Sequence, residues 1–432
     1  MKTKEIVFLI LFIVAGVFFY YAHEGKLNIE WGLDEFVFSG GEEFTFEESQ
    51  VVEPPFPAKL KIINAHGKVE IQGMEDNKIS ITFQKKIWRK NKEQALAVSN
   101  KLKAQVTKDF SQILITTNRE EFKRRNFETN FRITIPLNMD VEVSNSFGEV
   151  SAFRVKNASL NNRHGRVHAV EVGGILTIQN SYEDVEIENV QSDCQVESRH
   201  SKILANGVQG KLKITDSYGT IHLENISQKV VIESLHTEVF GQNLLAGAEV
   251  QNSYEKITLM DLGAVKLRGH HSDIEVDGAR DYLDIRDSYG RIKLNNIQGN
   301  LYVDGKSLNV YGKKIAGNEI YIFSSYEKIE LAEFSGKTTI QLSHGDLTLA
   351  PSPLTSPLEV KADYSSIRFF WPQGEKYPLE ARTRNGNINW KPATGLFSKD
   401  ENGETVVKAF WDLKDKPSVR LSTTYGDIRI EE

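Results

Sequence analysis

A short motif recurs along most of this chain, and its spacing constrains the fold more than any other feature. An aromatic or imidazole residue returns in steps of 17 or 18 residues from position 147 to position 289. Tyr and His alternate along the series, so the composite period is about 36 residues. Self-similarity at a fixed period is typical of repeat architectures. The series comprises Phe147, His164, Tyr182, His200, Tyr218, His236, Tyr254, His271 and Tyr289, continues through Ser307, Tyr326, His344 and Tyr364, and has an early copy at His66.

Each repeat unit alternates apolar and polar residues on both sides of its turn. In the unit GKLKITDSYGTIHLENI, the apolar residues are Leu212, Ile214, Ile221 and Leu223, and lysine, threonine and histidine stand between them. A period of two predicts two short strands, with the Ser-Tyr or Ser-His segment as the turn between them. One such unit buries too little to fold alone, whereas stacked units share a core and ladder hydrogen bonds. We therefore expect an all-β solenoid built from strand–turn–strand units of about 18 residues.

The turn chemistry predicts where the aromatic residues lie. Asn, Asp and Gly around the marker tolerate left-handed backbone conformations, and Tyr218 and its equivalents are expected to stack at a corner. If one unit makes one coil, Tyr and His alternate up a single corner. If two units make one coil, Tyr stacks on Tyr at one corner and His on His at the opposite one. The strict alternation favours the second arrangement.

Two regions depart from the repeat. Residues 91–106 carry Ala95, Val98, Leu102 and Val106 on one face of a predicted amphipathic helix, with Asn91 and Gln94 spaced like a capping box. Residues 395–410 predict a hairpin.

The expected organisation is a cytoplasmic tip (1–4), a transmembrane signal anchor (5–22), an acidic tether (23–56) whose phenylalanines suggest partial docking, a capping part (57–140), the regular solenoid (141–350) and a C-terminal cap of irregular repeats (351–432).

An apolar segment near the start of the chain predicts a membrane anchor. Residues 5–22 carry no charge after Glu5, and Lys2 and Lys4 precede them. Eighteen residues span about 27 Å as a helix, just enough to cross the hydrocarbon layer. The basic end is expected to stay in the cytoplasm, which places the rest outside as a single-pass envelope protein. A cleaved signal peptide is the alternative, although the Tyr-Tyr-Ala-His exit is a poor cleavage site.

Composition limits the classes of partner and of chemistry. The net charge is −6 with 26% charged residues, which argues against a nucleic-acid binder. Cys194 is the single cysteine, so no intramolecular disulfide can form. Its position corresponds to Val230 and Val265 in sister units, and we expect it in the core.

The recurring rings invite functional interpretations as well as structural ones. The histidines His164, His200, His236, His271 and His344 could bind a metal or sense acid pH, but no acidic or histidine partner recurs beside them. We interpret them as structural turn residues and expect no metal and no cofactor. The tyrosines could either pack at the corner or form an aromatic strip that binds glycan or peptide side chains. That strip consists of Tyr182, Tyr218, Tyr254, Tyr289 and Tyr326.

An enzyme is not expected. Glycan-active β-helices need paired carboxylates in one groove that breaks the repeat, whereas acids such as Glu186, Glu188 and Glu224 recur at outward strand positions. No GxSxG, HExxH or phosphate-binding loop occurs. The alternatives to an interaction module are a β-helix enzyme that acts on glycans and an envelope lipid-transport component. The second alternative requires an open apolar groove instead of a filled interior.

Several stretches together resemble one bacterial family. They are IINAHGKVEIQG, FRITIPLNMDVEVSNSFGEV, the repeated Ser-Tyr/His-Gly turns and the terminal STTYGDIRIEE. They resemble, from about residue 57 to the end, the adhesin-like family of unknown function called the toast-rack domain. The resemblance implies stacked strands on a membrane anchor and roles in surface adhesion or envelope-stress signalling, with no catalytic residues to carry over. The expected function is a non-enzymatic interaction, adhesion or scaffold module, with envelope proteins or glycans as partners and self-association through the solenoid ends.

Overall fold

The strands of this chain stack into two mainly parallel sheets that wind around one core. The computed structural model describes residues 41–390, 396–399 and 403–431. We call the two sheets sheet A and sheet B, and each regular coil contributes one strand to each. Within the described residues, no helix is long and apolar enough to cross a membrane. The predicted anchor, residues 5–22, lies outside them.

The N-terminal part mixes antiparallel strands with the first coil. Its elements are β1 (Glu42–Val52), β2 (Lys59–Ile63), β3 (Val69–Met74), β4 (Ile79–Arg89), α1 (Lys92–Lys101), β5 (Ala104–Lys108), β6 (Gln112–Thr117), a 3-10 turn (Arg119–Glu121) and β7 (Phe127–Pro136). Sheet A begins in the order β5, β6, β2, and sheet B in the order β1, β4, β7, β3. The antiparallel pairs at each start cover the open end of the parallel stack.

The regular coils follow without interruption. They comprise β8 (Asp140–Ser144), β9 (Val150–Phe153), β10 (Ala158–Asn161), β11 (Val167–Val172), β12 (Leu176–Gln179), β13 (Val185–Val190), β14 (Cys194–Glu197), β15 (Lys202–Val208), β16 (Leu212–Ser217), β17 (Thr220–Ile226), β18 (Val230–Leu235), β19 (Glu238–Leu244), β20 (Ala248–Gln251), β21 (Ile257–Leu262), β22 (Val265–Arg268), β23 (Asp273–Ala279), β24 (Tyr282–Ser288), β25 (Arg291–Ile297), β26 (Asn300–Lys306), β27 (Asn309–Ile315), β28 (Glu319–Ser324), β29 (Lys328–Phe334) and β30 (Lys337–Pro351). Even-numbered strands belong to sheet A and odd-numbered strands to sheet B, and β30 is long enough to join both.

One repeat unit makes one coil, so the two-unit arrangement that the alternation favours is wrong. Leu212 in β16 pairs with Val230 in β18, and Ile221 in β17 pairs with Val239 in β19, an offset of 18 residues in both sheets. Alternation up one corner is possible because phenol and imidazole are both flat rings that can stack on each other. The sequence period of 36 therefore reflects which ring is used, and not the length of a coil.

The alternating pattern predicted the inward side chains. Leu212, Ile214, Ile221 and Leu223 are all at most 1% exposed. Equivalent residues of all coils form one continuous apolar cluster along the axis. Cys194 belongs to it, at 2% exposed, between Leu176 and Leu212 of the neighbouring coils. No open apolar groove interrupts this cluster in the part of the chain that the structure describes.

A second corner, which the sequence analysis missed, lies within the sheet B strands. One residue near the end of each odd-numbered strand from β11 to β29 adopts a left-handed conformation, including Asn189 (φ 57°), Asn225 (φ 56°) and Asn243 (φ 55°). The amide of Asn243 donates to Asn225 Oδ1 at 2.7 Å, and that of Asn225 donates to Asn206 Oδ1 at 2.9 Å. Asparagine suits this corner because it tolerates the conformation and its side-chain amide links successive coils.

The N-terminal cap differs from prediction in two places. The helix ends at Lys101, because Val106 belongs to strand β5, so the expected span 91–106 is too long. Its N-cap is as expected, since Asn91 Oδ1 accepts from the backbone N–H of Gln94 at 2.9 Å. Residues 42–52 of the expected tether form strand β1, and Phe44 and Phe46 pack against the core. This packing is the partial docking that the sequence analysis predicted for the phenylalanines of the tether.

Lys85 links three elements of the N-terminal cap. Its side chain is fully buried, and Nζ donates to Glu48 Oε1 at 2.6 Å and to the Ser99 carbonyl at 2.8 Å. These two bonds join β4 to β1 and to α1. Burial lowers the pKa of the Lys85 ammonium, although Glu48 opposes that effect. The charge is tolerated because both bonds are made to oxygen atoms at close range.

Replacing Lys85 by methionine is expected to loosen β1 selectively. The change keeps most of the buried stem but removes both bonds, at a cost of roughly 1–3 kcal/mol. Amide hydrogen exchange in β1 should accelerate, while exchange in β17 and β19 stays slow. Lys86→Met is the matched control, at the neighbouring half-buried lysine, whose Nζ lies only loosely, 3.9 Å, from Glu43 Oε1 of β1. Equal exchange rates in β1 for the two variants would contradict this role.

The C-terminal part closes the stack with another antiparallel element. It contains β31 (Leu358–Phe370), β32 (Leu379–Thr383), β33 (Ile388–Trp390), β34 (Leu396–Lys399), β35 (Thr405–Ala409), β36 (Val419–Thr423) and β37 (Ile428–Glu431). Strands β34 and β35 pair antiparallel, which is the hairpin predicted for residues 395–410. The last strands along the chain, β36 and β37, insert between β31 and the pair β32 and β33.

Candidate functional site

The marker residues form one stacked row of rings, which we call the ring ladder. Adjacent rings have centroids 4.5–5.6 Å apart and lie within 24° of parallel. The structure thereby brings together every tyrosine and histidine that the sequence analysis singled out. In order along the axis, the ring ladder contains His66, Phe147, His164, Tyr182, His200, Tyr218, His236, Tyr254, His271 and Tyr289, then after one interruption Tyr326, His344, Tyr364 and Tyr425.

The ring ladder is built on unusual backbone. Tyr182, Tyr218 and Tyr254 have φ of 71°, 62° and 74°, and His200 and His236 have φ of 57° and 52°. Bulky residues rarely adopt this left-handed conformation, which costs about 1–2 kcal/mol for an L-residue. The sequence analysis expected a neighbouring Asn, Asp or Gly to adopt the left-handed conformation of the turn. In these coils the ring-bearing residue itself adopts it. Stacking with the rings above and below offsets part of this cost, since an aromatic pair contributes about 0.5–1.5 kcal/mol.

Stacking determines which part of each ring can reach a partner. The ring faces are covered by their neighbours, yet Tyr182, Tyr218 and Tyr254 are still 54%, 55% and 49% exposed. The exposed parts are therefore ring edges. A sugar cannot stack on a covered face, so a ligand of the ring ladder would bind through hydrogen bonds to these edges.

A row of buried or half-buried polar side chains lies behind the ring ladder, two residues before most of its rings. We call it the inner row, and its asparagines hold the turns. Asn162 Nδ2 donates to the Gly165 carbonyl at 2.9 Å, and Asn180 Nδ2 donates to the Glu183 carbonyl at 2.8 Å. The inner row comprises Asn64, Asn145, Asn162, Asn180, Ser198, Asp216, Ser234, Asn252, Asp287 and Ser324.

Two members of the inner row are carboxylic acids. Asp216 is 2% exposed and Asp287 is 3% exposed. Burial raises the pKa of Asp216 against hydrogen bonds that favour its charged form, foremost from the hydroxyl of Thr237. Burial likewise raises the pKa of Asp287 to about 6. An ionised carboxylate cannot donate to a turn carbonyl as asparagine does, so these two positions hold their turns less well.

The ring ladder is interrupted once, at Ser307. The backbone there is left-handed, with φ of 47°, as at the ring-bearing residues. The alternation calls for histidine at this position, between Tyr289 and Tyr326. A serine therefore occupies a turn shaped for a ring, and stacking is lost on both sides.

Restoring the ring is expected to stabilise the fold. Ser307→His should add stacking with Tyr289 and Tyr326 and raise the free energy of unfolding by roughly 1–3 kcal/mol, from two aromatic contacts. Thermal and denaturant unfolding would measure the gain. Ser307→Asn is the matched control, because asparagine also tolerates the left-handed backbone but supplies no ring. A gain of the same size in both variants would show that backbone preference, and not stacking, is responsible.

A polar cleft of about 470 Å³ lies where the ring ladder begins. Its charges are largely paired: Lys68 Nζ lies 2.6 Å from Glu70 Oε1, and Arg132 Nε lies 3.1 Å from Glu70 Oε2. Burial would raise the pKa of Glu70, but hydrogen bonds from Lys68 and Arg132 outweigh it and lower that pKa overall. Because the cations are already neutralised, the cleft is less suited to an anion than its lysines and arginine suggest.

The remaining candidate groups have structural positions. Burial raises the pKa of the Cys194 thiol to about 12, so it is not a reactive nucleophile at neutral pH. Within residues 41–390 and 403–431, no group of three or more His, Cys, Asp or Glu side chains converges as a metal site would require. The ladder histidines contact rings, and a phenylalanine or at least one tyrosine stands between successive histidines of the ladder.

Comparison with known proteins agrees with the resemblance in the sequence. The family model described as Toastrack DUF4097 matches residues 252–431. No curated protein matches the chain in sequence. Among solved structures, one similar chain is a "putative cell adhesion protein" from Clostridium sporogenes, with 11% identity, covering 90% of this chain and 99% of its own. Its TM-score of 0.18 is too low to support an argument.

The family match and the coordinates describe the same architecture. Residues 252–431 begin within a regular coil and end with β37, which lies in sheet B between β31 and β33. Sheet pairing continues from residue 252 back to β2 without a change in pattern. The resemblance inferred from the sequence is thus confirmed for residues 252–431, the part that matches the Toastrack family model.

Proposed function

We propose that this protein is a membrane-anchored solenoid that acts as an adhesion or interaction module in the cell envelope. The observation that carries the proposal is the ring ladder, a row of half-exposed phenol edges and imidazoles held on stacked coils. Counting Ser307, the row has 15 positions, one in each coil, and at ~4.8 Å per coil it is roughly 70 Å long. Evenly spaced donors and acceptors along such a row suit an extended partner, such as a glycan chain or an envelope protein.

The location outside the cytoplasm is part of the proposal. Residues 5–22 have the length and apolarity of a single membrane span, and Lys2 and Lys4 mark the cytoplasmic side. From position 27 to position 58 the chain carries acids and no lysine or arginine. The solenoid would then project from the outer side of the membrane on residues 23–41.

The character of the core supports binding over lipid transport. Isoleucine, leucine and valine side chains from successive coils fill the interior. A lipid-conducting stack would need an open apolar channel in place of this packing. A non-enzymatic role also fits the Toastrack match. We propose that any envelope-stress signalling would proceed through assembly of such modules.

The phenol hydroxyls provide a direct test of the role in adhesion. Replacing Tyr182, Tyr218, Tyr254 and Tyr289 together by phenylalanine keeps the stacked rings and removes the hydroxyls. Cells that produce the full chain should lose at least tenfold in binding to immobilised envelope fragments. The matched control replaces Tyr302, Tyr311 and Tyr321, which lie on the outer sheet surfaces, by phenylalanine. Undiminished binding by the ladder variant would refute the proposed use of the ring ladder.

A separate experiment tests the topology. If the solenoid lies at the cell surface, protease added to intact cells should degrade it directly. If it lies beneath an outer barrier, protease should degrade it once that barrier has been made permeable. In neither case should lysis of the inner membrane be needed. Protection until the inner membrane is broken would place the solenoid in the cytoplasm and exclude the proposal.

A further inference from the structure

Two basic segments of the sequence meet at one end of the N-terminal cap. Residues 86–92 (KIWRKNK) carry four lysines and arginines, residues 122–126 (FKRRN) carry three, and neither segment contains an acid. The backbone N–H of Trp88 donates to the Asn126 carbonyl at 3.2 Å, and Arg89 Nη1 donates to the same carbonyl at 3.2 Å. The pairing of β4 with β7 therefore brings the two segments side by side. We call the surface that they form the basic end.

Two guanidinium groups hold the basic end in shape without a carboxylate partner. Arg89 donates to three backbone carbonyls and Arg119 to two, at distances of 2.6–3.5 Å. Neither guanidinium makes an ion pair with a described residue. Burial, and after it the charge of Arg124, lowers the pKa of Arg89. Burial, and after it the charge of Arg125, lowers the pKa of Arg119 to about 10. Like charges are thus crowded at this end of the cap.

Acids neutralise only part of the basic end. Arg125 Nη2 lies 2.6 Å from Glu120 Oε2, whereas Glu42 and Glu93 border the surface without an ion pair to any described residue. Three exposed lysines likewise have no ion pair within the described part of the chain, namely Lys90, Lys92 and Lys123. Their ammonium groups are therefore available to an anionic partner.

The chain enters the described structure at this same end. Strand β1 begins at Glu42, opposite Arg89 of β4, and a Cβ at Gly41 would lie 2.9 Å from the backbone of Arg89. Residues 23–40 separate Gly41 from the predicted span 5–22. A chain of that length has an end-to-end distance of about 20–25 Å as a coil and reaches about 60 Å when fully extended. The proposed anchor would thus keep the basic end near the membrane surface.

We propose that the basic end binds the anionic headgroups of the phospholipid surface from which the solenoid projects. Lys90, Lys92 and Lys123 would contact headgroup phosphates. Each cation that approaches an anionic membrane surface strengthens binding about fivefold, and the attraction acts over about 8 Å at physiological salt. This contact rests on the proposed anchor, residues 5–22, and adds to it a second attachment that would fix the orientation of the solenoid.

The acidic tether is the competing occupant of the basic end. Residues 23–40 carry four acids and one lysine, a net charge of 4 − 1 = 3 negative charges, against the seven cations of the basic end. The tether alone could therefore offset less than half of that positive charge. A membrane surface has no such limit, because it presents many headgroups side by side.

The test measures lysine acetylation in the full chain inserted into lipid nanodiscs. One set of discs contains phosphatidylglycerol mixed with phosphatidylcholine, and the other contains phosphatidylcholine alone. Lys90, Lys92 and Lys123 should be acetylated at least fivefold more slowly in the anionic discs. Raising the salt concentration to about 1 M, where the Debye length is about 3 Å, should abolish the difference. Lys202 and Lys211, exposed on coils farther along the axis, should react equally in both discs.

Paired variants separate the role of the basic end from that of charge in general. Lys90→Gln combined with Lys92→Gln should restore most of the acetylation rate of Lys123 in anionic discs, because two of the contacts are lost. Lys202→Gln combined with Lys211→Gln is the matched control and should leave Lys123 protected. All four side chains are exposed and make no ion pair with described residues, so neither variant should affect folding.

The remaining outcomes distinguish this contact from the anchor. Equal and fast acetylation in both discs would refute the membrane contact and leave the anchor in place. Equal and slow acetylation in both would also refute it, and would identify the acidic tether as the occupant. A full chain that elutes apart from the discs would refute the anchor and this contact together.

Discussion

Replacing Ile221 by aspartate is expected to unfold the solenoid cooperatively, with a loss of more than about 4 kcal/mol in the free energy of unfolding. Ile221 is 1% exposed and lies in sheet B between Ile203 and Val239 of the adjacent coils. A carboxylate there would be buried without a partner in a core that every coil shares. Because each coil is stabilised chiefly by its two neighbours, a defect at the centre separates the stack into two weaker halves.

Circular dichroism during urea unfolding would measure the effect, with His236→Ala as the comparison. His236 is only half-buried, and its ring contacts Tyr218 and Tyr254 by stacking. Removing it should cost about 1–3 kcal/mol, from two aromatic contacts, and leave one cooperative transition. Similar destabilisation by the two substitutions would mean that the inward and outward faces have been assigned wrongly.

Replacing Asp287 by asparagine is expected to do the opposite and stabilise the protein at neutral pH. Asparagine occupies the same inner-row position at Asn180 and Asn252, where its amide donates to a backbone carbonyl. Burial raises the pKa of Asp287 from 3.8 to about 6. One pKa unit corresponds to about 1.4 kcal/mol, so the buried charge costs on the order of 2–3 kcal/mol at pH 7.

The dependence on pH identifies the group responsible. A carboxyl whose pKa is higher in the folded than in the unfolded state stabilises the fold while protonated. The free energy of unfolding of the wild-type chain should therefore fall as pH rises from about 4 to about 6. Above that range the contribution of Asp287 to the free energy of unfolding should change little. The groups around the carboxyl contribute in opposite directions, since His270 lowers its pKa and Asp273 raises it.

Unfolding free energies of wild type and Asp287→Asn, measured across this pH range, should converge at low pH and diverge at neutral pH. The difference isolates Asp287 from the other titrating groups, which are common to both chains. Asp304→Asn, a substitution at an outward-facing position of the next coil, is the comparison variant. A difference between wild type and Asp287→Asn that does not vary with pH would show that the Asp287 carboxyl is not perturbed in the fold.

The core and the repeat unit were predictable because alternation is a local property. Leu212 and Ile214 are separated by one residue, and strand geometry alone places them on the same side. The sequence left the coil length open at one or two repeat units, because coil length depends on which strands pair and rings of either type stack equally well. The helix was predicted to be too long because Val106 continues the helical spacing of apolar residues. Its conformation is instead determined by strand pairing with β6.

The candidate site was predictable in composition but not in geometry. The recurrence of Tyr182 and Tyr218 indicated a row of rings, yet the left-handed backbone that presents them depends on contact with the coils on either side. Gly269 and Gly305, which lack the polar side chain of the inner row, are two coils apart in the sequence. Only stacking brings them to either side of Asp287, so no short sequence pattern reveals this arrangement.

Because every coil follows the same path, whole units could be gained or lost by tandem duplication or deletion without disturbing the rest of the molecule. Losing one unit would bring like rings together, a contact already present where Tyr364 and Tyr425 stack at 4.6 Å. The number of units would then be free to vary between relatives, in single steps as well as in pairs. Such variation would adjust the reach of the protein in increments of about 5 Å.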